Sequence, residues 1–127
     1  MILLNIRVFI DIASSIHVDM PVEEAIRFLE LLGSRRWVSK DLSETLRILR
    51  SFDEYYESMR KKLLDYIFVP KDPADSITGK STVQKIKLYV NGGVKRVELI
   101  LDRRLDSTLV KSVLEEMGYR NVVIETS

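Results

Sequence analysis

The spacing of the hydrophobic positions changes near Pro70. Before Pro70, apolar residues recur every three or four positions, the period of an amphipathic helix; after it, they alternate with polar residues, the period of a strand. The pattern predicts an α+β fold, with an N-terminal bundle of three or four helices followed by a small three-stranded ββαβ sheet lobe. We expect a helical bundle domain at 1–69, a linker at 70–81 and the ββαβ lobe at 82–127.

Two helices are predicted in the first part of the chain. The first covers residues 2–16 and places Arg7 and Asp11 as an i,i+4 pair on its polar side. Because this stretch contains charges and ends in no small-residue cleavage site, we expect an amphipathic helix rather than a signal peptide or a membrane span. The second helix is predicted to begin after Asp19 as its N-cap and to end at Gly33.

A third helical stretch is the longest. Its apolar positions repeat with gaps of three and four, which is typical of helix packing against helix. These positions are Leu42, Thr45, Leu49, Phe52, Tyr56, Met59, Leu63 and Tyr66. Asp41 with Glu44 resembles a capping box at its start, and Ser51 with Glu54 resembles a second one. The sequence therefore leaves open one continuous helix or a break at Ser51.

A β-hairpin is predicted around Gly92 and Gly93, between strands at 83–90 and 95–101. One register keeps every apolar side chain on the same face of the hairpin, so we expect that register. Its cross-strand pairs are Ile86 with Leu99, Lys87 with Glu98, Leu88 with Val97, and Tyr89 with Arg96. Asp106 is a suitable N-cap for a following helix that reaches Met117, and 121–126 is predicted as the third strand.

Composition limits the classes of protein considered. The formal net charge is +1, so a basic patch for nucleic acid must be local. The chain has no cysteine, which excludes disulfides and thiolate zinc sites. Only three Asn and one Gln are present, a composition typical of thermophilic proteins. We therefore expect a cytoplasmic protein, with an archaeal thermophile as the source that the composition favours.

Motifs for catalysis are weak. Residues 74–81 match a loose phosphate-loop pattern with Ala74 in the first glycine position, but a strand rather than a helix is predicted to follow Ser81. His17 is the only histidine, so we expect neither a metal site nor a His-based triad, and interpret His17 as a helix-terminal or partly buried imidazole. The sequence predicts a non-enzymatic protein without a cofactor.

Two basic clusters with aromatic residues are candidate nucleic-acid contacts. The first lies in the loop after the second helix and comprises Arg35, Arg36, Trp37 and Lys40. The second lies on the polar face of the hairpin and comprises Lys85, Lys87, Tyr89 and Arg96. Cations that contact phosphates beside rings that stack on bases are the combination used by single-strand binders. The alternative is that Trp37 packs in the core and that the lysines protect a sheet edge.

The 42–66 bundle pattern, with the 83–101 hairpin and its appended helix and strand, resembles the small subunit of the archaeal type I-A CRISPR interference (Cascade) complex. The resemblance is one of architecture over most of the chain. It implies an antiviral-defence role as a non-catalytic subunit that packs on the backbone subunits of a ribonucleoprotein and helps to hold single-stranded DNA or RNA, weakly. No membrane partner is implied, and self-association remains open.

Two other classes compete with this interpretation. In a winged-helix regulator, the helices flanking Arg35, Arg36 and Trp37 would form the helix-turn-helix and the hairpin would be the wing. A recognition helix beginning near Asp41 would, however, carry carboxylates toward DNA. The other class is a structural or adaptor protein, of an archaeal virus for example, that acts through helix–helix contacts.

Overall fold

The computed structural model describes residues 6–120 and 122–126. Within them the chain forms six strands and five helices. The strands are β1 (Arg7–Ile10), β2 (Ile16–Pro21), β3 (Ile67–Phe68), β4 (Val83–Asn91), β5 (Val94–Leu101) and β6 (Ile124–Thr126). The helices are α1 (Val22–Arg35), α2 (Lys40–Arg50), α3 (Phe52–Lys61), α4 (Pro73–Thr78) and α5 (Ser107–Glu116).

All six strands belong to one mixed sheet, in the order β3-β4-β5-β2-β1-β6. Neighbouring strands are antiparallel except β1 and β6, which are parallel. The predicted N-terminal bundle followed by a three-stranded lobe is therefore wrong. The fold is α+β, but its sheet draws strands from both ends of the chain.

The main error concerns residues 7–21, which were expected to be largely helical and instead form the β1–β2 hairpin. This segment is rich in β-branched residues, and along β2 the buried Ile16, Val18 and Met20 alternate with less buried neighbours, as in a half-buried strand. The Asp11 carboxylate accepts hydrogen bonds from the backbone N–H groups of Ala13 and Ser15 and so closes the turn.

Three further expectations in the first half need correction. Asp19 lies within β2 and caps no helix, because α1 begins after Pro21 without a side-chain cap. Helix α1 continues past Gly33 to Arg35. The N-cap of α2 is Ser39, whose hydroxyl accepts from the Leu42 N–H at 3.3 Å, rather than Asp41.

The helical stretch after residue 40 breaks at Ser51, one of the two alternatives that the sequence left open. Helix α2 ends at Arg50, and α3 begins at Phe52. The predicted helical stripe also ends early, because Tyr66 lies beyond α3 in the connection to β3.

The predicted hairpin register is confirmed. Lys87 pairs with Glu98, Leu88 with Val97, and Tyr89 with Arg96 in the β4–β5 ladder. The buried Ile86, Leu88, Val97 and Leu99 share one face. The predicted α5 is confirmed as well, since the Asp106 carboxylate accepts from the Thr108 N–H at 2.9 Å.

The predicted third strand of the lobe is only partly correct. Strand β6 covers Ile124–Thr126 and pairs with β1, not with the β4–β5 hairpin. The first residue of the predicted strand, Asn121, lies outside the described residues. The position next to β5 is taken by β2, which pairs with it through five residues from His17 to Pro21.

The hydrophobic core lies between the sheet and helices on one of its faces. Buried residues of α1, α2 and α5 pack in a single cluster with the inward side chains of β2, β4 and β5. Helix α3 adds Phe52 and Met59 to the same cluster. The segment Pro73–Thr78, expected to lie in a polar linker, forms α4, which buries no residue. Among the described residues, no helix is long and apolar enough to cross a membrane.

Candidate nucleic-acid interface

The face of the sheet opposite the core carries polar, charged and aromatic side chains, and we call it the open face. Its side chains alternate along each strand with those that point into the core. The open face includes Phe9, His17, Asp19, Phe68, Lys85, Lys87, Tyr89, Arg96 and Glu98. It therefore contains all four residues of the predicted hairpin cluster.

Tyr89 and Arg96 are held by Asp19 of the neighbouring strand β2. The Tyr89 hydroxyl donates to the Asp19 carboxylate at 2.6 Å, and the Arg96 guanidinium contacts the same carboxylate at 3.0 Å. Burial, followed by the hydrogen bond to Asp19, raises the pKa of Tyr89. Burial opposes the charged form of Arg96, but the bonds to Tyr89 and Asp19 prevail and raise its pKa. Both side chains are thus engaged within the protein.

His17 lies between two carboxylates on the same face. Its Nε2 lies 2.8 Å from Asp11 Oδ2, and its Nδ1 lies 3.6 Å from Glu98 Oε2. The Phe9 ring stacks on the imidazole with centroids 4.3 Å apart. The hydrogen bond with His17 lowers the pKa of Asp11. The predicted partly buried imidazole is correct, but the residue belongs to a strand and not to a helix end.

Of the two lysines, Lys87 is exposed and Lys85 is half-buried against aromatic rings. Strand β3 and the residue before it place two aromatic side chains beside Lys85, whose ammonium lies 4.3 Å from the Tyr66 ring centroid and 5.7 Å from that of Phe68. Phe68 is 71% exposed, and Lys87 is exposed without an ion pair within the described residues. We call Tyr66, Phe68, Lys85 and Lys87 the β3–β4 patch.

The chain that leads into β3 is basic. Residues 60–68 contain three consecutive cations, Arg60, Lys61 and Lys62, and one acidic residue, Asp65. Leu63 is 91% exposed and has a left-handed backbone, with φ of 54°. That conformation costs a non-glycine residue about 1–2 kcal/mol. A strained, exposed leucine therefore lies between a basic run and the two rings of the patch.

The predicted loop cluster is engaged in holding the fold together. Arg35 forms an ion pair with Glu116 of α5. The Arg36 guanidinium stacks 4.0 Å from the Trp37 ring and donates to Thr82 Oγ1 at 3.3 Å, and burial lowers its pKa. The Trp37 indole N–H donates to the Lys80 carbonyl at 2.9 Å. Of the four residues, Lys40 alone has no partner within the described parts of the chain.

These contacts fix the α1–α2 loop to the segment that enters β4. Behind them, the fully buried Asp41 accepts the backbone N–H groups of Thr82, at 2.6 Å, and Val83. Trp37 is 41% exposed and so is not a core residue, and the Arg36 guanidinium lies over its ring. The loop cluster thus positions the start of the strand that carries Lys85 and Lys87.

Sequence reasoning missed the aromatic half of the β3–β4 patch. The predicted helical stripe contains Tyr66, and neither of the two basic clusters contains Phe68. The alternation of Tyr66, Ile67, Phe68 and Val69 directly before Pro70 is the signal that predicts a short edge strand with both rings on one face.

No group of three or more His, Asp or Glu side chains in the described residues is arranged to hold a metal ion.

Comparison with family models, with curated proteins and with solved structures finds no match to this chain. The surface chemistry of the protein is therefore the guide to its function.

Proposed function

We propose that the protein is a non-catalytic binder of single-stranded nucleic acid, and that the β3–β4 patch is its contact surface. The observation that carries the proposal is the placement of the Lys85 ammonium over two aromatic rings, one of them largely exposed, on the open face. Exposed rings stack on unpaired bases, and adjacent lysines neutralise phosphates.

The location of the patch supports a single strand over a duplex. It lies on a sheet face at the edge strand β3, where splayed bases reach the rings. In the winged-helix alternative the β4–β5 hairpin would be the wing. It is not a free wing, because β5 pairs with both β4 and β2. The start of α2 lies against the start of β4, where the buried Asp41 accepts the Thr82 and Val83 N–H groups, so this end of the helix is not free to enter a DNA groove.

The near-neutral net charge fits weak binding within an assembly, in the reducing cytoplasmic setting predicted from the lack of cysteine. Membership in a CRISPR interference complex stays a prediction. The resemblance on which it depends included an N-terminal helical bundle, and the chain has strands in that place. Binding of single-stranded nucleic acid at the β3–β4 patch does not depend on that membership.

Fluorescence anisotropy with a labelled oligothymidine at low salt tests the proposal. We expect weak binding that decreases with salt, and a loss of affinity of about threefold to tenfold in both Lys87→Ala and Phe68→Ala. Lys87→Ala removes a phosphate contact, so it also makes the salt dependence less steep by about one charge.

Arg35→Ala is the matched control, since it removes the same charge from the predicted loop cluster but from a residue paired with Glu116. We expect its affinity to equal that of the unaltered protein. Absence of binding at low salt, or equal losses in Lys87→Ala and Arg35→Ala, would exclude the patch as the contact surface. A preference for one duplex sequence would favour the regulator instead.

A further inference from the structure

A second surface lies on the helical side of the molecule, away from the open face. A cleft of about 1200 Å³ separates the start of α1, the α2–α3 junction and the tip of the β4–β5 hairpin. Val22, Leu49 and Phe52 form its apolar floor and belong to the core, and the half-buried Ile26 extends it. The cleft exceeds the size of pockets for drug-sized ligands, so it suits several side chains of a peptide.

The rim of the cleft is acidic. Glu23 and Glu24 come from the first turn of α1, and Asp53 and Glu54 from the first turn of α3. Glu24 is paired with Arg27. Glu23 and Glu54 are in no ion pair among the residues that the structure describes. The basic Arg50 is directed to Glu30, outside the cleft lining, at 3.1 Å. A ligand for this cleft is therefore cationic as well as apolar.

Lys95 already shows how an ammonium group is held there. Its Nζ lies 2.8 Å from Asp53 Oδ1 and 5.6 Å from the Phe52 ring centroid. A carboxylate and an aromatic face are the two elements by which proteins bind alkylammonium groups. The pair is half exposed, with the Lys95 side chain at 52% and Asp53 at 78%. Exposed ion pairs are worth at most about 1 kcal/mol, so an incoming lysine can replace Lys95.

We propose that this cleft binds a segment of a partner protein that carries lysines beside large apolar side chains, and that a lysine of the partner displaces Lys95 from Asp53. The apolar side chains of the partner lie on Val22, Leu49 and Phe52, and its further cations face Glu23 and Glu54. The helical side and the open face then serve different partners, one a protein and the other a nucleic acid.

Binding of a labelled synthetic amphipathic peptide of leucine and lysine to the full chain tests this assignment. In Lys95→Ala the competing ammonium is absent and Asp53 is released, so we expect the affinity to rise by at least about threefold. In Asp53→Asn the anchoring charge is lost, and we expect the affinity to fall by a similar factor. Both side chains are exposed enough for the variants to fold.

Lys111→Ala on α5 is the matched control, because Lys111 is exposed and its removal changes the net charge by the same amount. We expect no change in affinity for this variant, and no binding of a peptide in which glutamate replaces lysine. Equal affinities of Lys95→Ala and Lys111→Ala would overturn the proposal, as would the absence of binding to the unaltered protein. Neither result would bear on oligothymidine binding, which depends on the opposite face.

Discussion

At the scale of single residues, Asp41 shows that a side chain predicted to cap a helix can instead bond a distant strand. Its carboxylate is fully buried in the first turn of α2 and accepts two backbone N–H groups from the start of β4. Thr82, one of the two, also bonds Ser39 and Arg36 through its hydroxyl. Asp41 therefore joins two parts of the chain about forty residues apart in sequence.

Removing this carboxylate is expected to destabilise the protein strongly. In Asp41→Ala the Thr82 and Val83 amides lose a charged acceptor in the interior, which lowers the free energy of unfolding by about 3 kcal/mol. Asp41→Asn keeps an acceptor oxygen and should cost less. Urea denaturation measures the difference.

Glu44→Ala, on the exposed side of the same helix, is the control for Asp41. Its ion pair with Arg47 is at the surface, so we expect a loss below about 1 kcal/mol. Similar midpoints for Asp41→Ala and Glu44→Ala would mean that the buried carboxylate contributes no special stability.

At the scale of elements, Tyr119 ties the end of α5 to the beginning of α1. Its ring is buried, and its hydroxyl donates to Glu24 Oε1 at 3.1 Å. Burial, followed by this hydrogen bond, raises the pKa of Tyr119 to about 12. The contact supports the packing of two helices on the same face of the sheet.

This contact makes the free energy of unfolding depend on pH in the alkaline range. The phenol of the unfolded chain ionises near its ordinary value of 10, and that of the folded chain near 12. Between these pH values the unfolded chain binds fewer protons, so the free energy of unfolding falls as pH rises, by up to about 3 kcal/mol from this group. Below pH 10 its contribution is constant.

Tyr119→Phe removes the ionising group and serves as the comparison. Urea denaturation of both proteins from pH 8 to pH 12 should show a steeper decline for the unaltered protein above about pH 10. Parallel curves over this range would contradict the assigned role of Tyr119.

At the scale of the whole molecule, one sheet connects the two ends of the sequence. Strand β2 pairs with β5, and β1 pairs with β6. The Trp37 indole bonds Lys80 and so reports on the junction between the α1–α2 loop and the start of β4. The parts on either side of residues 70–81 therefore share hydrogen bonds and a core.

We expect the chain to unfold in a single cooperative transition. Fluorescence of Trp37, the only tryptophan, and far-UV circular dichroism should give coincident thermal curves, since losing the β2–β5 ladder exposes the common core. Two separated transitions would instead support independent folding of 1–69 and 82–127.

The sequence alone was sufficient to predict a feature wherever the residues that produce that feature lie within one short segment. The register of the β4–β5 hairpin follows from strict alternation on both sides of a diglycine turn, and slipping it by one residue would bury Arg96. The start of α5 follows from the Asp106 carboxylate and its adjacent amides. The same alternation predicts that Lys85 and Lys87 face away from the core.

Only the tertiary structure decided what depends on distant partners. A segment such as 7–21, which mixes apolar and polar residues, satisfies helical and strand periods alike, and its pairing with β5 across the chain selects the strand. Asp19 likewise engages Tyr89 and Arg96 only because β2 lies beside β5, and Tyr66 and Phe68 meet Lys85 only because β3 lies at the edge. Local patterns determine which way a side chain points, whereas long-range strand pairing determines what it meets.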